Sequence, residues 1–205
     1  MQLYKDSNST DYQESFVLSV LKEKHNGFYL ELGSAWPKKE NNTYLLETVY
    51  NWQGIGFEID EELVKEYRSV RKNPVIQGDA RKLDYISILK EHNAPKQIDY
   101  LQMDLHPALS TLEALKQLPL DEYRFSVITY EHNRWWDEDL HKYIQEESQR
   151  ILKEHGYFLV VENLLDKVNP LEDWWIDPTV VPYENYSKMI SKNKYYRHLL
   201  DKYLT

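Results

Sequence analysis

The 205-residue chain has no cysteine, which excludes a disulfide framework and any zinc held by thiolates. Glycine is scarce: there are 6, and only Gly33 stands at the turn after the first apolar strand. A turn that holds a dinucleotide needs several glycines, so that backbone can approach the pyrophosphate. Here Trp36, Pro37, Lys38 and Lys39 follow instead. Nor is there a GxxxxGK loop to cradle phosphates. NAD, FAD and ATP are therefore disfavoured. Basic residues are outnumbered, 25 Lys and Arg against 34 Asp and Glu, for a net charge of -9. The chain lacks the basic surplus that a nucleic-acid partner demands. No apolar run approaches the ~20 residues of a membrane span, and the first residues form neither a basic nor an apolar signal region. The expectation is a soluble cytoplasmic protein with no nucleic-acid and no membrane partner. The oligomeric state is not set by anything in the sequence.

What is present alternates. Residues 10–25 carry a helical stripe of Phe16, Val17, Val20 and Leu21, with Thr10 and Gln13 as a capping box. Apolar strands are expected at 27–33, 54–60, 73–80, 98–104, 125–132 and 157–163. Helices fall between them. One follows Asn41 or Asn42, one is capped by Asp60, and others lie near 84–91 and 110–117. A long one carries Leu140, Tyr143, Ile144, Ile151 and Leu152 and stops at Gly156. The tail is rich in Pro and Trp and is expected to end in a helix with Tyr186, Met189, Ile190, Leu200 and Leu204. This order predicts one α/β domain. Residues 1–26 form a helical extension, 27–163 a doubly wound, mostly parallel core, and 164–205 an aromatic-rich C-terminal segment.

Ligands of such sheets bind beyond the carboxyl ends of the strands. Those ends carry Glu31, Glu58, Asp79, Asp104 and Glu131. Glu58 is placed to accept hydrogen bonds from both ribose hydroxyls of an adenosine. An adenosine cofactor without phosphates tolerates a turn with one glycine. S-adenosylmethionine fits, with its ribose on Glu58, its methionine portion along the loop after Gly33 and its adenine near Asp79.

The order of "FYLELGS", "NNTYLLE", "WQGIGFEID", "VIQGDA", "IDYLQMDL", "FSVITYEHN" and "GYFLVVEN" resembles the class I S-adenosylmethionine-dependent methyltransferases, and more narrowly the FkbM-like methyltransferases. The resemblance covers about 28–163. It implies a Rossmann-like seven-stranded sheet and, usually, methyl transfer to a hydroxyl, often on a sugar or a polyketide. It also implies a cofactor site drawn from Glu31, Gly33, Ser34, Ala35, Asn42 and Thr43, with Glu58, Ile59, Asp79, Ala80, Asp104 and Leu105. Two departures stand out. The first loop is "GSAWPKKEN", and the D-x-E-G after the fourth strand is replaced by Asp104-Leu105-His106-Pro107.

Methylating a hydroxyl requires removal of its proton. His106 and His132 stand beyond adjacent strand ends and are the candidate bases. Glu131 is a third candidate catalytic group. Asp104, Glu131 and His132 also form a candidate set for a divalent metal, Mn²⁺ or Mg²⁺. Trp135, Trp136, Trp174 and Trp175 are expected to divide within each pair, one ring to the core and one to the wall of a substrate pocket. Two other readings share these residues: a Rossmann-like binding or scaffold protein with a degraded cofactor site, and an N-methyltransferase.

Overall fold

A computed structural model describes residue 9 and residues 12–195. Eight strands form one sheet: β1 (Phe28–Leu32), β2 (Gln53–Glu58), β3 (Val75–Gln77), β4 (Gln97–Met103), β5 (Arg124–Glu131), β6 (Phe158–Asp166), β7 (Asn169–Ile176) and β8 (Ser191–Tyr195). Their order is β3-β2-β1-β4-β5-β7-β6-β8. The first five are parallel. β7 runs antiparallel to both β5 and β6, and β8 closes the edge parallel to β6.

Among the described residues the sheet thus has eight strands rather than seven, and its last two in the chain come from the tail. β7 lies within the sheet, so the core extends past residue 163. Where the tail helix is expected to carry Tyr186, Met189 and Ile190, there is a short helix, α7 (Tyr183–Tyr186), with a 3₁₀ turn over Ser187–Met189. Beyond it the chain extends into β8. Thr10, Leu200 and Leu204 lie outside the described residues.

The remaining helices are α1 (Gln13–Val20), α2 (Tyr44–Thr48), α3 (Glu61–Val70), α4 (Tyr85–Glu91), α5 (Ala108–Leu115) and α6 (Glu138–Glu154). They cover both faces. On one side α4, α5 and α6 pack over Leu30, Leu101, Ile128 and Trp175. On the other, α1 and α2 pack over Tyr29, Tyr100, Val127 and Trp174. The alternation of side chains along a strand sends Trp174 and Trp175 to opposite faces. Both rings are buried, so the expectation that one of them walls a pocket is corrected.

The N-terminal helix is shorter than expected but is part of the core. Phe16 stacks on Trp174 at 4.5 Å, and Glu14 accepts the Leu45 N–H at 2.7 Å. Asp60 caps α3 as expected, accepting from the Glu62 and Leu63 N–H groups. α6 is rotated relative to the expected stripe. Leu140 and Tyr143 are exposed, while His141, Ile144, Gln145, Ser148, Ile151 and Leu152 are buried. Three polar residues take part in that inner stripe because a polar network beneath α6 satisfies them.

Candidate active site

Gly33 ends β1 in the left-handed region, at φ +85°. Its N–H and that of Ser34 both donate to the Phe57 carbonyl at 3.0 Å. A Cβ at Gly33 would stand 1.9 Å from the Asp104 carbonyl oxygen. Only glycine lets the β1 turn press against the end of β4. The next residue but one, Ala35, also has positive φ, +43°, and donates its N–H to Glu58 at 2.9 Å. Such a conformation in a residue with a Cβ is held by its surroundings.

Around this turn is a cavity of about 360 Å³, bordered by Gly33, Ala35, Glu58, Ile59, Asp79, Ala80, Asp104 and Leu105, within the ~300–1,000 Å³ usual for small-molecule sites. Phe57, Gly78, Arg81, His106 and Ser110 complete it. Glu31, Ser34, Asn42 and Thr43 do not line it. They form the buried layer behind the turn.

That layer is organised by Arg71, a residue the sequence reading passed over. Its guanidinium donates to Glu47 (2.7 Å), Pro37 O (3.1 Å), Asn41 Oδ1 (2.9 Å), Tyr29 Oη (2.9 Å) and Thr43 Oγ1 (2.9 Å). Glu31 sits in the same layer, with Asn41 Nδ2 at 3.4 Å. Burial pushes its carboxyl up to about 7, although Arg71 and the neighbouring Thr43, Asn41 and Ser34 pull it down. The folded state therefore holds this proton more tightly than the unfolded chain. Its contribution falls as pH rises from the ordinary carboxylate range through about 7. Glu31→Gln is expected to stabilise the protein by about 1–3 kcal/mol at pH 8 and by little at pH 5. Denaturant unfolding at the two pH values checks this. A variant no more stable than wild type at pH 8 contradicts it.

Glu58 Oε1 accepts from the Ile59 and Asp60 N–H groups at 2.8 and 2.9 Å, and Oε2 accepts from Ala35. A carboxylate offers about four acceptor sites, so one remains for a ligand hydroxyl rather than two. Asp79 is gripped by the Arg81 fork at 2.8 Å on each oxygen, with Lys82 at 3.2 Å. Those hydrogen bonds hold its carboxyl well below the usual range.

A second cavity of about 450 Å³ adjoins the first and is lined by His106, Pro107, Ala108, Asn133, Trp136, Asp137, Leu140 and His141. His106 lines both. Its ring lies against Trp136, 5.4 Å between centroids, and Trp136 stacks on Trp135 at 5.7 Å. Both indoles are exposed, so here too the pair does not divide between core and pocket.

Asp104 and Glu131 meet at the ends of β4 and β5. Burial raises both carboxyls, and for Glu131 the Asp104 charge raises it further. His132 does not join them. As the next residue after Glu131 it turns to the other face, where it is fully buried, its Nδ1 accepts the Arg134 N–H and its Nε2 stands 3.5 Å from Asp173. The expected metal set is therefore corrected: Asp104, Glu131 and His132 do not converge. Among the described residues no other three such side chains do. The expectation of His132 as a base at the pocket is corrected for the same reason.

No family model matches the chain, and no curated protein matches it in sequence. Solved structures do match in shape. An O-methyltransferase from Bacillus cereus, in complex with SAH, is 15% identical, with a TM-score of 0.54 over 83% of this chain and 82% of that one. The plantazolicin methyltransferase BpumL, also with SAH, is 14% identical, with a TM-score of 0.52 over 84% and 86%. An rRNA methylase from Streptococcus thermophilus is 15% identical, with a TM-score of 0.53 over 80% and 93%. The chain has the class I methyltransferase fold. At these identities the likeness is one of fold. No helix among the described residues is long and apolar enough to cross a membrane.

Proposed function

We propose that the protein binds S-adenosylmethionine in the cavity at Gly33 and Glu58 and transfers its methyl group to a hydroxyl of a small molecule or sugar. The observation that carries this reading is the meeting of two cavities at His106. One lies beyond the carboxyl ends of β1, β2, β3 and β4, the end of such sheets at which ligands bind, and the other is walled by an indole and polar side chains. The resemblance of the strand-turn motifs to FkbM-like methyltransferases supports the same reading. S-adenosylmethionine supplies an electrophilic methyl on a positively charged sulfur. The chain's own part is to hold the ribose end at Glu58 and to keep the cavity closed beneath the β1 turn. It also brings an acceptor oxygen in line from the second cavity.

The second cavity contains no Lys or Arg among its lining residues. This favours a neutral acceptor over a phosphate-bearing one such as RNA. The Glu58 geometry sets the size of the expected effect. One charge-assisted hydrogen bond to the ribose is worth about 1.5–3 kcal/mol. Glu58→Ala is therefore expected to weaken cofactor binding by about ten- to a hundredfold, read by calorimetry on protein shown to be folded. Unchanged affinity would remove the ribose assignment.

A further inference from the structure

The second cavity holds an imidazole that the reading above leaves unused. His141 lies in the first turn of α6, where Asp137 caps the helix by accepting the Leu140 N–H at 3.0 Å. The ring is largely buried, 9% exposed, and borders the cavity. Its Nδ1 stands 2.9 Å from the His132 carbonyl oxygen. A carbonyl only accepts, so Nδ1 carries the proton, and the neutral ring keeps its lone pair on Nε2. Among the described residues Nε2 has no hydrogen-bond partner. It is not among the fully buried atoms that lack one, so it keeps some accessible surface, on a residue that lines the second cavity.

The carbonyl that orients this ring is itself fixed. The His132 N–H donates to Leu171 O at 3.0 Å. The His132 ring Nδ1 accepts the Arg134 N–H at 3.2 Å, and its Nε2 stands 3.5 Å from Asp173 without a hydrogen bond. Gln145 donates to Asp173 and Asn163 and accepts from Arg134. A buried network thus sets the direction of His141, as the second group does for any imidazole base. His106 differs. It is exposed and its ring lies against Trp136, with no hydrogen bond among the described residues that selects its tautomer.

We infer that His141 is the general base of the transfer, an inference that rests on the methyltransferase reading. The acceptor oxygen gives its proton to His141 Nε2 as it bonds to the methyl carbon. The carbon–sulfur bond breaks and sulfur keeps the electron pair. The products are a methyl ether, a neutral thioether and an imidazolium, so the positive charge passes from sulfur to the ring.

Two measurements test this. The first is nitrogen NMR of histidine-labelled protein saturated with S-adenosylhomocysteine. His141 is expected as the Nδ1–H tautomer, with a pyridine-type Nε2. An Nε2–H tautomer overturns the assignment whatever the acceptor. The second is turnover with catechol and methyl glucoside as trial acceptors, read as S-adenosylhomocysteine formed. His141→Asn keeps a donor for the His132 carbonyl, since Nδ2–H replaces Nδ1–H, but has no base. It is expected to fold, to keep its cofactor affinity, to lose about 10²–10⁴-fold in rate and to recover part of that loss with added imidazole. If His141→Asn keeps the wild-type rate while His106→Ala loses it, the base is His106 and the proposal fails. Calorimetry of wild type with the cofactor is read separately. No binding there fails the methyltransferase reading and the base role with it, and the tautomer spectrum is then recorded on the protein without cofactor, where an Nε2–H tautomer still overturns the geometric assignment.

Discussion

Arg71→Ala is expected to cost about 3–5 kcal/mol of folding stability, the usual result of breaking a buried ion pair. The Arg71 side chain is fully buried and its Glu47 partner nearly so. Removing the guanidinium leaves the Glu47 carboxylate without its ion-pair partner, although Tyr29 and the Lys72 N–H still reach it. It also releases Pro37 O, Asn41 and Thr43, which tie the loop after β1 to the end of α3. That loop continues from the Gly33–Ala35 turn, so cofactor affinity is expected to fall with stability. Arg71→Lys restores the charge but not the five-fold donor pattern of the guanidinium, and is expected to fall between. Chemical denaturation of the three proteins checks this. An alanine variant within about 1 kcal/mol of wild type, the range of surface pairs, contradicts it.

Gly33→Ala is expected to cost about 2–5 kcal/mol, from positive φ and from a backbone collision together. The fold contains its own control. Gly156 has nearly the same φ, +81°, and a Cβ there would meet nothing within 4 Å. Gly156→Ala should therefore show only the conformational part, about 1–2 kcal/mol. The difference between the two variants isolates the contact with the Asp104 carbonyl. It should be accompanied by loss of cofactor binding in Gly33→Ala alone. Equal losses in both variants would mean that the β1 turn does not press on β4.

The parallel strands were legible because burial on both faces writes them as near-continuous apolar runs. "GFYLELG" and "FSVITYEH" needed no context. Gly33 and Glu58 were legible for a related reason, since each closes such a run at the end where ligands bind. β7 was not. Its sequence "NPLEDWWI" carries Pro170, Glu172 and Asp173, and the two acids are buried only because Trp174 Nε1, Gln145 and the Asn163 N–H reach them. Those donors are distant in the chain or depend on the fold. β8, "SKNKY", is a polar edge strand, with lysines where an edge needs protection, and it has no apolar pattern to read.

The site residues divide the same way. Arg71 gathers partners from residues 29 to 47, across two elements and a loop, so no local motif marks it. His141 carried a usable signal. It shares the helical phase of Ile144, Ser148, Ile151 and Leu152, and a histidine on a buried stripe asks for a partner. The expected stripe ran instead through Leu140 and Tyr143, because their hydrophobicity outweighed the phase. His132 illustrates the reverse. Being adjacent to Glu131 in sequence suggested a shared site, and the period of two in a strand put the side chains on opposite faces.

The most direct test of cofactor binding at the Gly33 turn is an amide NMR map of the wild-type protein titrated with S-adenosylhomocysteine. The expected result is a saturable set of shifts at Gly33, Ala35, Ile59, Gly78 and Leu105, with the distant edge strand β8 unmoved. The contradicting result is no saturable shift at these amides, or a set centred elsewhere on the molecule.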